Sequence, residues 1–190
     1  MIVLDATSQF ISENLFDDVS GYEFVYPWQR FVVSLRHYLE TKSDAITRVV
    51  GTSKIVSSMI DSNVSIGDFC LIRNSIIEAD VRIGAHVQLN MSIIRRGTEL
   101  PHFNNVAYSF LGRDVLFGAS ATTSSRRLDE KLPFVVLPNG DVIEAVTNRF
   151  GALIGDGCRI GSHVCINPFT VIAKNKIIYP GKSISGYVPR

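Results

Sequence analysis

The side chains best suited to chemistry are four histidines, three cysteines and a group of charged residues between positions 126 and 149. An imidazole titrates near neutral pH, so any histidine is a candidate proton acceptor. His37 lies off the apolar stripe of a helical segment, which marks it as solvent-facing. His86 and His163 are each the fourth residue of a six-residue unit and read as corner or face residues. His102 follows Pro101 in the phrase PHFNN. Arg126, Arg127, Lys131 and Arg149 can hold an anion through charge-assisted hydrogen bonds, and the same charges also suit a solvated loop. Asp129 and Glu130 are adjacent, which is too little for a metal centre, and no metal is expected. Cys70, Cys158 and Cys165 are odd in number and lack close pair spacing. Neither a disulfide framework nor a zinc site follows. Cys70 and Cys158 occupy the small-residue position of their units, which is a packing role.

The element that must position these groups is a repeat. An isoleucine returns every six residues at Ile154, Ile160, Ile166, Ile172, Ile178 and Ile184. Upstream, aliphatic residues or one Phe fall at Ile55, Ile60, Ile66, Ile72, Ile77, Ile83, Leu89, Ile94, Leu100, Val106, Leu111 and Phe117. The steps of 5, 6 and 6 make 17 residues per coil, with Ile55, Ile72, Leu89 and Val106 opening successive coils. A six-residue period fits neither an amphipathic helix nor strand alternation. It predicts an all-β solenoid: a parallel β-helix of triangular section, with coils stacked ~4.8 Å apart around a ladder of inward aliphatic side chains.

Two stretches depart from the repeat. Residues 121–151 break the register, predicting a long loop excursion from residues 51–190. Within it, FVVL-PNGD-VIEAV reads as a hairpin, and Asn139-Gly140 can supply positive φ at its turn. An ordered insertion on a rigid solenoid is a common place for a site. Residues 1–50 form a separate N-terminal segment. In it Trp28, Phe31, Val32, Leu35 and Leu39 follow Pro27 on one helical face. This predicts a helix near 27–41 that caps an open end of the prism, where unpaired strand edges need cover.

Composition bounds the function. The chain has 190 residues, 46% of them hydrophobic, so a folded core is expected. Nineteen Lys and Arg against 18 Asp and Glu leave a formal charge of +1, which disfavours general nucleic-acid binding. No apolar run approaches the ~20 residues of a membrane span. The start, Met1-Ile2-Val3-Leu4-Asp5, lacks a basic n-region. A cytoplasmic protein is the expectation.

The phrases NSII (74–77), GTELPHFNNV (97–106), FLGRDVLFGAS (110–120), RRLDEK (126–131) and NRFGALIGDGCRIG (148–161) carry a family resemblance. They resemble the C-terminal domain of bifunctional sugar-1-phosphate nucleotidylyltransferase/acetyltransferases, a group related to UDP-N-acetylglucosamine pyrophosphorylase. That resemblance implies a left-handed β-helix and a homotrimer with sites between adjacent prisms. It implies acetyl transfer from acetyl-CoA to the amine of an amino-sugar 1-phosphate, in UDP-N-acetyl-sugar and cell-envelope synthesis. Residues 21–39 resemble the linker helix that follows the family's nucleotidyl-transferring domain. These fifty N-terminal residues are too few to house that domain.

By the same resemblance His102 is the general base. The substrate-binding positions fall on Asn105, Ser125, Arg127, Lys131 and Arg149. Lys174, Lys176 and Lys182, near the C-terminal corners, are the candidates for coenzyme A phosphates. This chain has Asn105 where the family commonly has a tyrosine, Ser125 where it often has an asparagine, and Arg149 where it has a lysine. The first two departures favour an alternative: a non-catalytic sugar-nucleotide-binding or assembly subunit that pairs with a separate nucleotidyltransferase.

Overall fold

The computed structural model describes residues 15–16, 31–41 and 46–189, with residues 46–50 described as backbone only. The repeat folds as a parallel β-helix with three faces. The first face stacks Leu71–Arg73, Gln88–Asn90, Asn105–Ala107, Thr122–Thr123, Cys165–Ile166 and Ser183–Ile184 above Ser53–Ile60. That long strand bends through a corner and also starts the second face, so the two faces form one 14-stranded sheet. The third face is a 6-stranded sheet from Ser65–Ile66 to Ile177–Ile178. Register is 17 residues per coil: Ile55 pairs with Ile72, and Ile72 with Leu89.

The periodic aliphatic residues fill the interior. Ile55, Ile72, Leu89, Ile94, Leu100, Val106, Leu111, Phe117, Ile154, Ile166 and Ile172 share one buried cluster. Cys70 and Cys158 sit in it too, as small-residue packing requires. Burial pushes the Cys158 thiol up to about 11, because a thiolate is disfavoured in an apolar interior.

A buried serine ladder holds the corner between the first and second faces. Ser58, Ser75, Ser92 and Ser109 recur every 17 residues and are fully buried. Each hydroxyl accepts the N–H of the next coil, as in Ser75 N–H to Ser58 Oγ at 3.1 Å and Ser92 N–H to Ser75 Oγ at 3.2 Å. Each also donates to the carbonyl two residues back. This satisfies corner groups that a turn would otherwise bury unpaired. Residues 57, 74, 91 and 108 next to it all take positive φ, so the corner is tight whatever the side chain.

The excursion is shorter than the break in hydrophobic spacing implied. Thr122 and Thr123 remain on the first face, paired with Asn105 and with Cys165 and Ile166. The chain departs after them and returns at Ala152–Ile154 on the second face. Within it, Phe134–Val136 and Val142–Glu144 form the antiparallel hairpin, and Gly140 takes the positive φ.

The helix Phe31–Thr41 lies along the second face rather than over an end of the prism. Its Phe31, Val32, Leu35 and Leu39 join Ile93, Phe110, Leu153 and Val171, outward residues of that face, in a second buried cluster. The reason is chemical: these second-face positions are apolar outside as well as inside, so they need a cover more than the end does. Pro27, Trp28 and the rest of the expected first turn lie outside the described residues. At the N-terminal end of the prism, Ile46–Val50 pairs antiparallel with Ser53–Ser58 and covers the free edge of the first face.

Candidate functional site

The neck of the excursion builds a polar concavity. Ser125 accepts the N–H of Phe150 at 2.8 Å, and Gly151 donates to Tyr108 O at 2.8 Å, which pins both ends of the loop to the corner. Phe150 stacks on Phe169 with centroids 3.9 Å apart and meets Phe31 at 6.0 Å. This anchor fixes its neighbour Arg149, whose guanidinium stands 5.7 Å from the Tyr108 ring centroid.

An open cavity of about 480 Å³ results, against the outer side of the first face. Arg73, Asn90, Asn105, Ser125, Arg126 and Arg149 line it, with Tyr108 at the corner, and no carboxylate does. Arg126 bonds Glu130 at 2.7 Å. Arg73 and Arg149 make no ion pair among the described residues. Two uncommitted guanidinium groups beside amide and hydroxyl donors make a site for an anion bearing polar substituents. Asn105, Ser125 and Arg149 were expected here. Arg73 and Asn90 were not, although the 17-residue register that pairs Arg73 with Asn90 and Asn90 with Ala107 was available to find them.

Arg127 and Lys131 lie elsewhere. Arg127 makes two hydrogen bonds to Asp129, at 2.8 and 2.5 Å, and stands 5.1 Å from the Phe134 ring centroid. The Arg127 bond holds the Asp129 carboxyl down at about 2. Arg127 lines a different cavity, with Phe134, Asn167, Pro168 and Ser185. Lys131 is exposed and lines neither cavity.

His102 sits on the corner between the third and first faces. It is exposed, and its imidazole has no hydrogen-bond partner among the described residues. Its corner packs closely on the coil below: a Cβ on Gly84 would come within 1.4 Å of Pro101 O and 3.1 Å of His102 Nδ1. Above, buried Asn104 donates from Nδ2 to Gly118 O at 2.8 Å and Ala121 O at 3.1 Å, tying this corner to the next. Its neighbours Phe69, His86 and Phe103 stack in a ladder with centroids 5.0 Å apart. The strand Asn105–Ala107 separates the His102 corner from the Tyr108 corner, roughly 10 Å at ~3.3 Å per residue. One chain therefore presents an exposed imidazole at one edge of the first face and an arginine-lined cavity at the other.

The three lysines are divided. Lys182 is on the corner between third and first faces, as is His102, but two residues further along it: His102 stacks with Ala119, Ser162 and Pro180, and Lys182 with Asn104, Ala121 and Val164. Lys174 and Lys176 are on the corner between second and third faces. Among the described residues no group of three His, Cys, Asp or Glu is placed to hold a metal ion. No helix among them is long and apolar enough to cross a membrane.

Residues 43–114 match the family described as GlmU-like, C-terminal hexapeptide. The Bifunctional protein GlmU of Methanococcus vannielii is 32% identical over 114 residues, 60% of this chain and 27% of that protein. The Bifunctional sugar-1-phosphate nucleotidylyltransferase/acetyltransferase of Sulfurisphaera tokodaii is 36% identical over 104 residues, 55% and 26% of the two chains. The chain thus spans about a quarter of the length of these relatives. Among solved structures, the polysialic acid O-acetyltransferase OatWY aligns with a TM-score of 0.34 and 19% identity, over 72% of this chain and 75% of that one. The coils within residues 43–114, including the PHFNN corner, are similar in sequence to the C-terminal hexapeptide region of GlmU-like proteins.

Proposed function

We propose that the chain is an acyltransferase module that moves acetyl from acetyl-CoA to the amine of an amino-sugar 1-phosphate. The observation that carries this reading is the carboxylate-free cavity of Arg73, Arg126 and Arg149, set one strand away from an unbonded imidazole. The anion site would take the phosphate, with Asn105 and Ser125 on the sugar hydroxyls. His102 would take the proton from the ammonium group. The freed amine then attacks the thioester carbonyl, the carbon–sulfur bond breaks, and the departing thiolate takes up a proton. Backbone N–H groups serve the oxyanion. Coenzyme A would lie along the corner of His102, where Ala119 and Ser162 are small and Lys182 can meet a phosphate. Lys174 and Lys176 are on another corner and are left out of that role.

The module would work as a homotrimer, with the first face and the excursion turned toward a neighbouring prism. The names of the relatives, nucleotidylyltransferase and acetyltransferase, support this reading. Its test is acetyl-CoA consumption with glucosamine 1-phosphate and galactosamine 1-phosphate. A second reading, a non-catalytic sugar-nucleotide-binding or assembly subunit beside a separate nucleotidyltransferase, is favoured by Asn105 and Ser125. Binding of a UDP-sugar without acetyl-CoA consumption would select it.

A further inference from the structure

The arginine cavity has a neighbour of opposite character. A second cavity of about 540 Å³ opens between the helix Phe31–Thr41 and the corner of the first and second faces. Asn90 and Tyr108 line both, so the two lie side by side. Its remaining walls are Asn74 and Ser57 from the corner, Leu39 and Met91 as apolar surface, and Arg36 and Glu40 from the helix. Arg36 and Glu40 offset each other in formal charge. A cationic compartment therefore lies beside a neutral one that is part apolar and part amide-lined.

The side-chain amides of Asn74 and Asn90 make no hydrogen bond among the described residues, and both residues are half-buried. A carboxamide offers a donor and an acceptor side by side, the pattern that matches the edge of a nucleobase. The half-buried Tyr108 ring supplies surface for its flat face, and Leu39 and Met91, nearly covered, give the cavity an apolar floor. The volume is within the ~300–1,000 Å³ usual for small-ligand sites. A sugar 1-phosphate has nothing to place there, because its phosphate ends the molecule.

We infer that the site binds a nucleoside diphosphate: the diphosphate in the cavity of Arg73 and Arg149, the base and ribose in the cavity of Asn74, Asn90 and Leu39. The sugar can then be presented as its nucleotide conjugate as well as its 1-phosphate. This rests on the arginine cavity being the phosphate site of the proposed function.

Calorimetry on the whole chain tests it with three probes: UDP, ADP and inorganic pyrophosphate. Pyrophosphate is the stringent control, since it carries at least as much charge as either nucleotide. At least one nucleotide should bind ten or more times more tightly than pyrophosphate. Asn74→Gly suits the positive φ of 48° at this position. It should weaken the nucleotide about tenfold and leave pyrophosphate unchanged, whereas Arg73→Gln should weaken both. If both nucleotides bind no better than pyrophosphate, or if Asn74→Gly changes both classes alike, the inference is overturned and the phosphate site stands. If pyrophosphate and nucleotides all fail to bind, the phosphate site and the inference fall together.

Discussion

The amide of Ala152 donates to the hydroxyl of Ser109 at 3.0 Å, across 43 residues of sequence. Ala152 thereby takes the rung that the next coil would occupy if no excursion had intervened. The serine ladder continues as though the loop were absent, and Thr123 Oγ1, 3.0 Å from Ser109 Oγ, braces the point of departure. The solenoid therefore closes beneath the excursion's neck and ties its two ends together.

Ser109→Ala should therefore destabilise the fold by about 1–3 kcal/mol, the cost of a buried N–H left without an acceptor. Ser124→Ala, one residue past Thr123 and half-buried, should change stability by less than about 0.5 kcal/mol. Urea unfolding of the two variants checks this. Equal effects would show that the ladder does not hold the neck.

The arginines should separate by function. Arg73→Ala and Arg149→Ala should each raise KM for a phosphate-bearing acceptor about 10–100-fold, the loss of a charge-assisted hydrogen bond, with smaller effects on kcat. Arg127→Ala should change KM less than about threefold, because that guanidinium is committed to Asp129 and lines another cavity. Steady-state kinetics on the three variants decides it.

The cysteines offer a check that needs no substrate. Iodoacetamide at pH 8 should alkylate half-exposed Cys165 and spare Cys70 and Cys158, which are buried. The Cys158 thiol is raised from its ordinary 9.0 to about 11, so its contribution to stability is complete below pH 9 and lost as pH rises through 11. Cys158→Ala should remove that part of the alkaline loss. Alkylation of all three at similar rates in the folded protein would contradict the packing.

The excursion leaves apolar surface uncovered: Leu128 is fully exposed, and Phe134, Val136 and Val142 are exposed beside it. Light scattering should give a species of three times 21.0 kDa, and Leu128→Asp should shift it toward the monomer. A wild-type species of 21.0 kDa at working concentration would contradict a site shared between prisms.

The solenoid was legible because its interior demands one aliphatic residue per strand, and that demand writes a strict period. The exterior carries no such demand. Arg73 and Asn90 occupy outward positions where most residue types are tolerated, so only the register linking them to Ala107 marks their place. The helix was legible as an apolar stripe but not in its destination, since the second face has apolar residues on both sides and only packing shows which surface is left to cover. Arg127 and Arg149 look equivalent in sequence. What separates them is local: Asp129 two residues on engages the first, and Tyr108, distant in sequence, lies against the second.

The central claim is that His102 takes the proton from an amine that then accepts an acetyl group. The most direct measurement is transfer of radiolabelled acetyl from acetyl-CoA to glucosamine 1-phosphate and galactosamine 1-phosphate, comparing the wild type with His102→Ala. The account predicts transfer to the amine by the wild type, a rate lower by about 10²–10⁴-fold in the variant, and an unchanged melting temperature. Full activity in His102→Ala would contradict the assignment of the base, and no transfer by the wild type to either acceptor would contradict the acyltransferase reading.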